Sequence, residues 1–388
     1  MKYALVCASA EPTYCGVGKF SAKLTTILQE HGAEVVYLTS SRQRDYHAAS
    51  GRLSVSPEKG ALLRGGVRDV FRFVRKHRPD IVNFQYQSFH QNYFDILYPL
   101  AARLASPRTK IISTIHEFEH FSLLGRLRQV LPMLTSDKIL FSDRRQMIKA
   151  LPYSLNLARN KSAVIAVGPS VEPQLSTYAA KPKHNPKHLH LAFHGFVQPL
   201  KGLEYLLEAL VRFEYPFTLH LLGKLEPILD YNIHDAVNEY QKRIRNLIET
   251  TPRLRQNVRI YGDVDPNSSR FVEILERAEL AIFPFRDGVS HRRSSLVNTL
   301  MNSNVIVAAT HDPKYSDAGL ESIVPVGYTS RSILEFLNDY ITWDKSRRTE
   351  VYRAQLALKE YFRAPALRRD VYDLLTLHPD GENVGGVN

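Results

Sequence analysis

Residues 280–310 read LAIFPFRDGVSHRRSSLVNTLMNSNVIVAAT, and they confine the chain to a narrow set of folds. The apolar run 280–283 is stopped by Pro284, as a buried parallel strand would be. A loop carrying Asp287 and Gly288 follows, then a helix on whose one face Leu296, Val297, Leu300 and Met301 recur. Residues 305–309 form a second buried strand. Strand, loop, helix and strand in that order are the unit of a parallel α/β sheet. Ser290 is the expected N-cap, which puts Arg292 and Arg293 in or beside the first helical turn. Cations there oppose the helix dipole, so their presence points to an anion held between them and the helix N-terminus. A solvated basic turn accounts for the same residues equally well.

The same pattern runs through the whole chain. Residues 3–8 read as the first strand, and the loop 11–18 ends in Gly16-Val17-Gly18 before a helix from about Lys19 to Glu30. Strands at 35–38, 81–86, 111–115, 139–141 and 164–167 alternate with helices at 67–77, near 93–104 and around 121–134. In the helix 67–77, Val70, Phe71 and Val74 are expected to point inward. Residues 169–188 shift to Pro, Lys, His and Asn and read as a linker, drawn at 173–188. A second α/β pattern then starts, with strands at 189–193, 219–222, 258–261 and near 323–326 around the 280–310 unit. Its helices are expected at 201–213, 235–250, 269–278 and 331–340. The expectation is two Rossmann-like domains, 1–172 and 189–350, facing each other across a cleft. A last helix, 351–376, is expected to return to the first domain, and 377–388 to form a disordered tail.

With 388 residues, each domain has material for a full core. The net charge of +12 calls for an acidic partner: a phosphate ligand, an anionic membrane surface or nucleic acid. The basic residues are scattered over helices without an aromatic-basic module, which argues against nucleic acid. Cys7 and Cys15 make no disulfide framework, and no apolar run reaches membrane-spanning length. Ala8-Ser9-Ala10 mimics a signal cleavage site, but the apolar core before it is too short. A cytoplasmic protein is expected, with peripheral attachment to the inner face of the membrane as a wider option. The segment 121–134, basic and apolar with Arg126 and Arg128, is the candidate for that attachment. A solvated helix face is the commoner meaning of such a pattern and is preferred here.

Ligands of open α/β sheets bind beyond the carboxyl ends of the strands. His116 stands at such an end, as do Gly195, Gly223-Lys224, Gly262-Asp263 and the 284–293 loop. Lys201 is placed at the start of a helix, where an ammonium and the dipole can share one phosphate. The spacing H-G-x(5)-K-G-L-x-x-L-L-x-A from His194, and F-P-F-x-D-G-x-S-x-R-R-x-S-L from Phe283, resemble GT-B-fold glycosyltransferases of the GT4 type. Residues 15–21, 114–116 and V-R-I-Y-G-D-V at 258–264 extend the likeness. The resemblance implies a retaining transfer of sugar from a nucleotide-sugar to a glycan, lipid-linked or other hydroxyl acceptor. The nucleotide-sugar is a co-substrate, and neither a metal nor another cofactor is implied.

By position the resemblance assigns Lys201 to the diphosphate, with Arg293 and its neighbour Arg292 adding charge. Gly16 and Gly18 would underlie the diphosphate or acceptor, and His116 would touch the donor sugar. Gly195, Lys224 and Gly262 would border the nucleotide. Asp287, Gly288, Ser290 and Ser295 would face the sugar and phosphates, and Asn298 the ribose. Ser290 and Asn298 replace the two glutamates of the E-x(7)-E pattern many relatives carry, and Phe196 replaces an arginine. Ser290 and Asn298 keep open a second reading, a non-catalytic GT-B protein binding a nucleotide-sugar or glycan. A third is set by His116-Glu117-Phe118-Glu119-His120, which matches the H-E-x-x-H of zinc hydrolases but directly follows a β-branched strand.

Overall fold

The computed structural model describes residues 1–7, 16–39, 54–56, 66–86, 95–166, 185, 187–225, 234–312, 314–315, 319–363 and 365–376. The chain divides into two compact units: Met1–Ser170 with Ala364–Asn388, and Val171–Arg363.

The first unit runs β1 (Lys2–Cys7), α1 (Gly16–Glu30), β2 (Glu34–Leu38), β3 (Ser54–Ser56), α2 (Gly66–His77), β4 (Ile81–Tyr86), α3 (Tyr98–Ala105), β5 (Lys110–Ile115), α4 (Leu123–Thr135), β6 (Lys138–Phe141), α5 (Arg144–Ala150) and β7 (Ser162–Val164). Its seven strands pair in the order β3-β2-β1-β4-β5-β6-β7, every pair parallel. A parallel sheet is covered on both faces, which is why its strands read as nearly unbroken apolar runs. Side chains alternate along β1. Ala4 and Val6 enter the core beneath α2 and α3, while Tyr3, Leu5 and Cys7 join Leu24 and Leu28 of α1 on the opposite face.

The second unit comprises β8 (Leu189–His194), α6 (Leu203–Arg212), β9 (Phe217–Leu222), α7 (His234–Thr250), α8 (Pro252–Asn257), β10 (Val258–Ile260), α9 (Ser269–Leu275), β11 (Leu280–Phe283), α10 (Ser294–Met301), β12 (Ile306–Ala309), β13 (Val324–Pro325), α11 (Ser330–Tyr340) and α12 (Lys345–Arg363). Its sheet order is β10-β9-β8-β11-β12-β13, again parallel throughout. The order reverses between β8 and β11, so the loops leaving these two neighbours diverge and open a crevice at their carboxyl ends.

Several expectations need correction. The terminal segment is not one helix: α12 stays with the second unit, and a separate α13 (Pro365–Thr376) belongs to the first. Gln355 of α12 bonds the backbone of Val307 in β12 at both N (3.0 Å) and O (2.8 Å). Val371 and Leu375 of α13 complete the core over α1. The Arg368 guanidinium donates to the Glu30 carboxylate at 2.8 and 2.9 Å, and the Tyr372 and His31 rings stack at 4.4 Å. Pro365 is the first residue of α13, a position that suits proline because it has no N–H to continue a preceding helix. Helix α1 begins at Gly16, so Gly16 and Gly18 lie in its first turn rather than in a loop before it. Phe73, not Phe71, is buried in α2, since with Gly66, Val70 and Val74 it completes the inward stripe. Strand β3 and helix α8 were not expected. The loop 11–15, the linker 173–188 apart from 185, 187 and 188, and the tail 377–388 lie outside the described residues. Among the described residues no helix is long and apolar enough to cross a membrane.

Candidate functional site

The crevice of the second unit is built by the chain leaving β8 and the chain leaving β11. Beyond β8, Gly195 has φ +138°, and a Cβ there would lie 3.0 Å from Cβ and 3.2 Å from Oγ of Ser295. A side chain at this position would push the β8 loop off the start of α10. His194 draws the two together, its Nδ1 lying 3.0 Å from the Ser295 carbonyl oxygen and 3.1 Å from Thr299 Oγ1. Gly202 has φ +68°, and a Cβ there would overlap the carbonyl oxygen of Pro284. Glycine is therefore required where the β8 loop crosses the β11 loop.

Lys201 does not open a helix as expected. It closes a short 3-10 turn, Pro199–Lys201, and Gly202 separates it from α6. Its ammonium reaches instead to the start of α10, donating to Ser295 Oγ at 3.2 Å. Ser290 is not the cap of that helix either. The chain turns between Ser290 and Arg293, with Arg293 N bonded to Ser290 O at 3.0 Å. Helix α10 then starts at Ser294, with Arg293 in the cap position and no side-chain cap bond. An uncapped N-terminus keeps its positive end available to an anion.

Three cationic side chains meet there around one carboxylate. Asp287 pairs with Arg293 and, at 3.3 Å, with Arg292. The ring of Phe285 supports two of the cations: Lys201 Nζ and the Arg293 guanidinium each lie 4.8 Å from its centroid. Burial, then Arg293 and Arg292, push the Lys201 ammonium down to about 7 against the pull of Asp287. Burial raises Asp287, but Arg293 and Arg292 outweigh it and hold the carboxyl below its usual value. A lysine that loses its proton this easily marks a dry position with more positive charge than its surroundings neutralise.

Among the other expected residues, Gly288 (φ +81°) follows Asp287, Ser290 is buried in the turn before α10, and Asn298 is buried within the helix. Gly262 (φ +73°) ends β10 with open space where a Cβ would stand. Lys224 follows β9, its carbonyl accepting from Gln241 Nε2 at 3.3 Å. Gly16, Gly18 and His116 belong to the first unit.

His116 ends β5 and is held by a buried polar chain. Its Nε2 lies 2.8 Å from Gln85 Oε1, and Gln85 Nε2 donates to Asn83 Oδ1 at 2.9 Å. Asn83 Oδ1 also accepts from Thr114 Oγ1 at 2.8 Å, and its Nδ2 donates to Tyr3 OH at 3.1 Å. Because Gln85 spends its amide hydrogens on Asn83, its oxygen faces the imidazole, and Nε2 carries the hydrogen. The edge of Phe20 meets the ring at 4.7 Å. The zinc reading loses its geometry here. His116 closes a strand, and Phe118–His120 make a single 3-10 turn, not a helix with two histidines on one face. Glu119 is bound to Arg145 at 2.9 Å and to Lys149. Among the described residues no group of three His, Cys, Asp or Glu side chains is placed to hold a metal.

Phe285, His194, Gln85 and Asn83 were not singled out from the sequence. His194 stands inside the H-G-x(5)-K-G spacing, but its bond to α10 is a tertiary contact. The two strand polars have a readable signal: Asn83 and Gln85 interrupt an otherwise apolar strand at alternate positions.

No family model matches the sequence, and no curated protein matches it. Solved structures match along almost the whole length. HepE of Anabaena in complex with UDP and glucose superposes with a TM-score of 0.67 at 13% identity, covering 97% of this chain and all of that one. The lipopolysaccharide outer core galactosyltransferase WaaB gives 0.62 at 16% identity, over 96% of this chain and 99% of its own. Starch synthase IV of Arabidopsis thaliana, bound to ADP and acarbose, gives 0.61 at 13%, over 96% and 99%. The chain has the GT-B fold that these proteins share.

Proposed function

We propose that the chain is a glycosyltransferase that moves a sugar from a nucleoside-diphosphate sugar to a hydroxyl acceptor with retention of configuration. The observation that carries this is the pair of buried cations Lys201 and Arg293, with the partly buried Arg292 beside them, facing Asp287 at the crevice between the β8 and β11 loops. The chemistry of a diphosphate fits it. As the bond from the anomeric carbon to the β-phosphate oxygen breaks, its electron pair stays on that oxygen. The cations and the uncapped start of α10 are in place for the added charge before it forms, which is where fixed charges lower a barrier. Following the resemblance, the acceptor oxygen bonds to the anomeric carbon, and its proton passes to the leaving phosphate. His116 is assigned to the sugar. The cations supply the neutralisation for which other enzymes use a metal, so none is invoked. The acceptor class is a glycan or a lipid-linked hydroxyl.

The like-folded proteins crystallised with UDP or ADP support a nucleotide in such a site. The test is a thermal-shift series over nucleoside diphosphates, since a ligand that binds only the folded state raises its melting temperature. A diphosphate should stabilise the wild type and leave Lys201→Ala unmoved. Equal shifts in both would refute the site. The uncharged Ser290 and Asn298, in place of the glutamates of related enzymes, favour one second reading: a nucleotide-sugar binding protein without transfer. It predicts the same thermal shift with neither donor hydrolysis nor a mass gain on any acceptor.

A further inference from the structure

Large apolar side chains left in solvent are not spread evenly. In the second unit they are single residues such as Val211, Ile260 and Tyr328. In the first unit, Leu100, Leu104, Leu123, Leu124, Leu127, Leu134, Leu155 and Leu157 are all exposed, and they come from neighbouring elements. Helix α4 buries Gly125, Gln129, Pro132 and Met133. The opposite stripe at helical spacing is Leu123, Leu127, Val130 and Leu134. The solvated polar face expected from sequence is therefore absent: this helix is apolar outward. Helix α3, with Leu100 and Leu104, packs beside it. The 3-10 turn Leu151–Ser154, which leads into Leu155 and Leu157, also packs on it. Arg126 Nη1 reaches Tyr153 OH at 3.4 Å at one end, and Lys161 Nζ reaches the Leu134 carbonyl at 2.8 Å at the other.

Two further features say what covers this face. Leu155 is 81% exposed and sits at φ 52°, ψ 32°, the left-handed region that glycine and asparagine favour. A branched side chain there costs conformational energy and gains no burial, so folding alone does not account for it. The charge is also one-sided. Helix α4 and residues 151–161 hold Arg126, Arg128, Arg159 and Lys161 and no carboxylate. Leucines flanked by cations, without acidic residues, complement the boundary between anionic headgroups and acyl chains.

We infer that the face formed by α3, α4 and the turn at Leu155–Leu157 docks on an anionic phospholipid bilayer, inserting its leucines while its cations meet the headgroups. The assignment does not rest on sugar transfer, because binding to vesicles is measured without donor or acceptor. The experiment is flotation of the full chain with phosphatidylcholine vesicles, with and without phosphatidylglycerol, at low and high salt. The combined variant Leu124→Ser, Leu127→Ser, Leu155→Ser is compared, with Leu104→Ser alone as a milder second. Unchanged melting temperatures establish that both variants fold. The wild type should float with the anionic vesicles and lose binding with salt. The triple variant should partition about a hundredfold more weakly, from three leucines no longer inserted. Equal flotation of wild type and both variants, or no flotation with any vesicle, would overturn the inference. So would a wild-type dimer in light scattering that becomes a monomer in the triple variant, which would give the face to a second copy of the chain.

Discussion

The two units reverse strand order in the same way, yet finish their strands differently. Along β4 and β5 and just past β5, the first unit presents neutral groups chained to one another: Asn83, Gln85, Thr114 and His116. Beyond β8 and β11 the second presents Lys201, Arg292, Arg293 and Asp287. Neutral groups fix a direction: each hydrogen has one acceptor, so an imidazole can be held in one tautomer. Charged groups supply field, and they need rigid loops because each would relax toward water. Under the proposed transfer, one architecture would serve orientation in one half and charge neutralisation in the other.

The largest effects should come from removing field. Lys201→Ala or Arg293→Ala should each cost roughly 3 kcal/mol of transition-state stabilisation, about a hundredfold in kcat/KM for sugar transfer, with the fold retained by circular dichroism. Wild-type turnover in both would erase the contrast between the halves. Next is the loop crossing that holds the field in place. Gly202→Ala forces a side chain into a positive φ and against the Pro284 carbonyl, and should cost about 2 kcal/mol of stability by denaturant unfolding. An unshifted midpoint would mean that the crossing is looser than drawn.

Orientation should cost less. Gln85→Ala removes the acceptor at His116 Nε2 and should lower kcat about tenfold while leaving nucleoside-diphosphate affinity unchanged. Gln85→Glu, whose carboxylate still accepts from Nε2, should recover part of the rate and raise the pH at which His116 titrates. A loss of nucleotide affinity in Gln85→Ala would blur the division of labour.

The smallest effect is a fraction of a proton. Free Lys201 titrates near 7, well below its value in the unfolded chain, so the folded protein gains stability as pH rises from there toward the unfolded value. A bound diphosphate raises this lysine again. Binding at about pH 8 should therefore take up protons, and affinity should fall as pH climbs above 7. Calorimetry in buffers of different ionisation enthalpy measures the uptake, which should vanish in Lys201→Ala.

The elements of the site were legible because strands buried on both faces announce themselves. The run 280–283, its stop at Pro284 and the helix after it could be read directly. The partners of each charge were not. Lys201 looked like the first residue of its own helix, whereas it serves a helix about ninety positions later, and only the sheet's strand order brings those segments together. Ser290 looked like a cap because its side chain can cap, but the Ser290–Arg293 turn took precedence. The break before α13 is written in Pro365, but the apolar spacing continues across it and makes the two helices read as one.

That break has a consequence for how the protein is made. Val371 and Leu375 fill a core whose remaining members are synthesised hundreds of residues earlier. The half that leaves the ribosome first therefore waits for α13, and the face of α1 stays uncovered until that helix has been made. A released chain cut before Pro365 would keep the whole of the second unit and leave the first one unclosed.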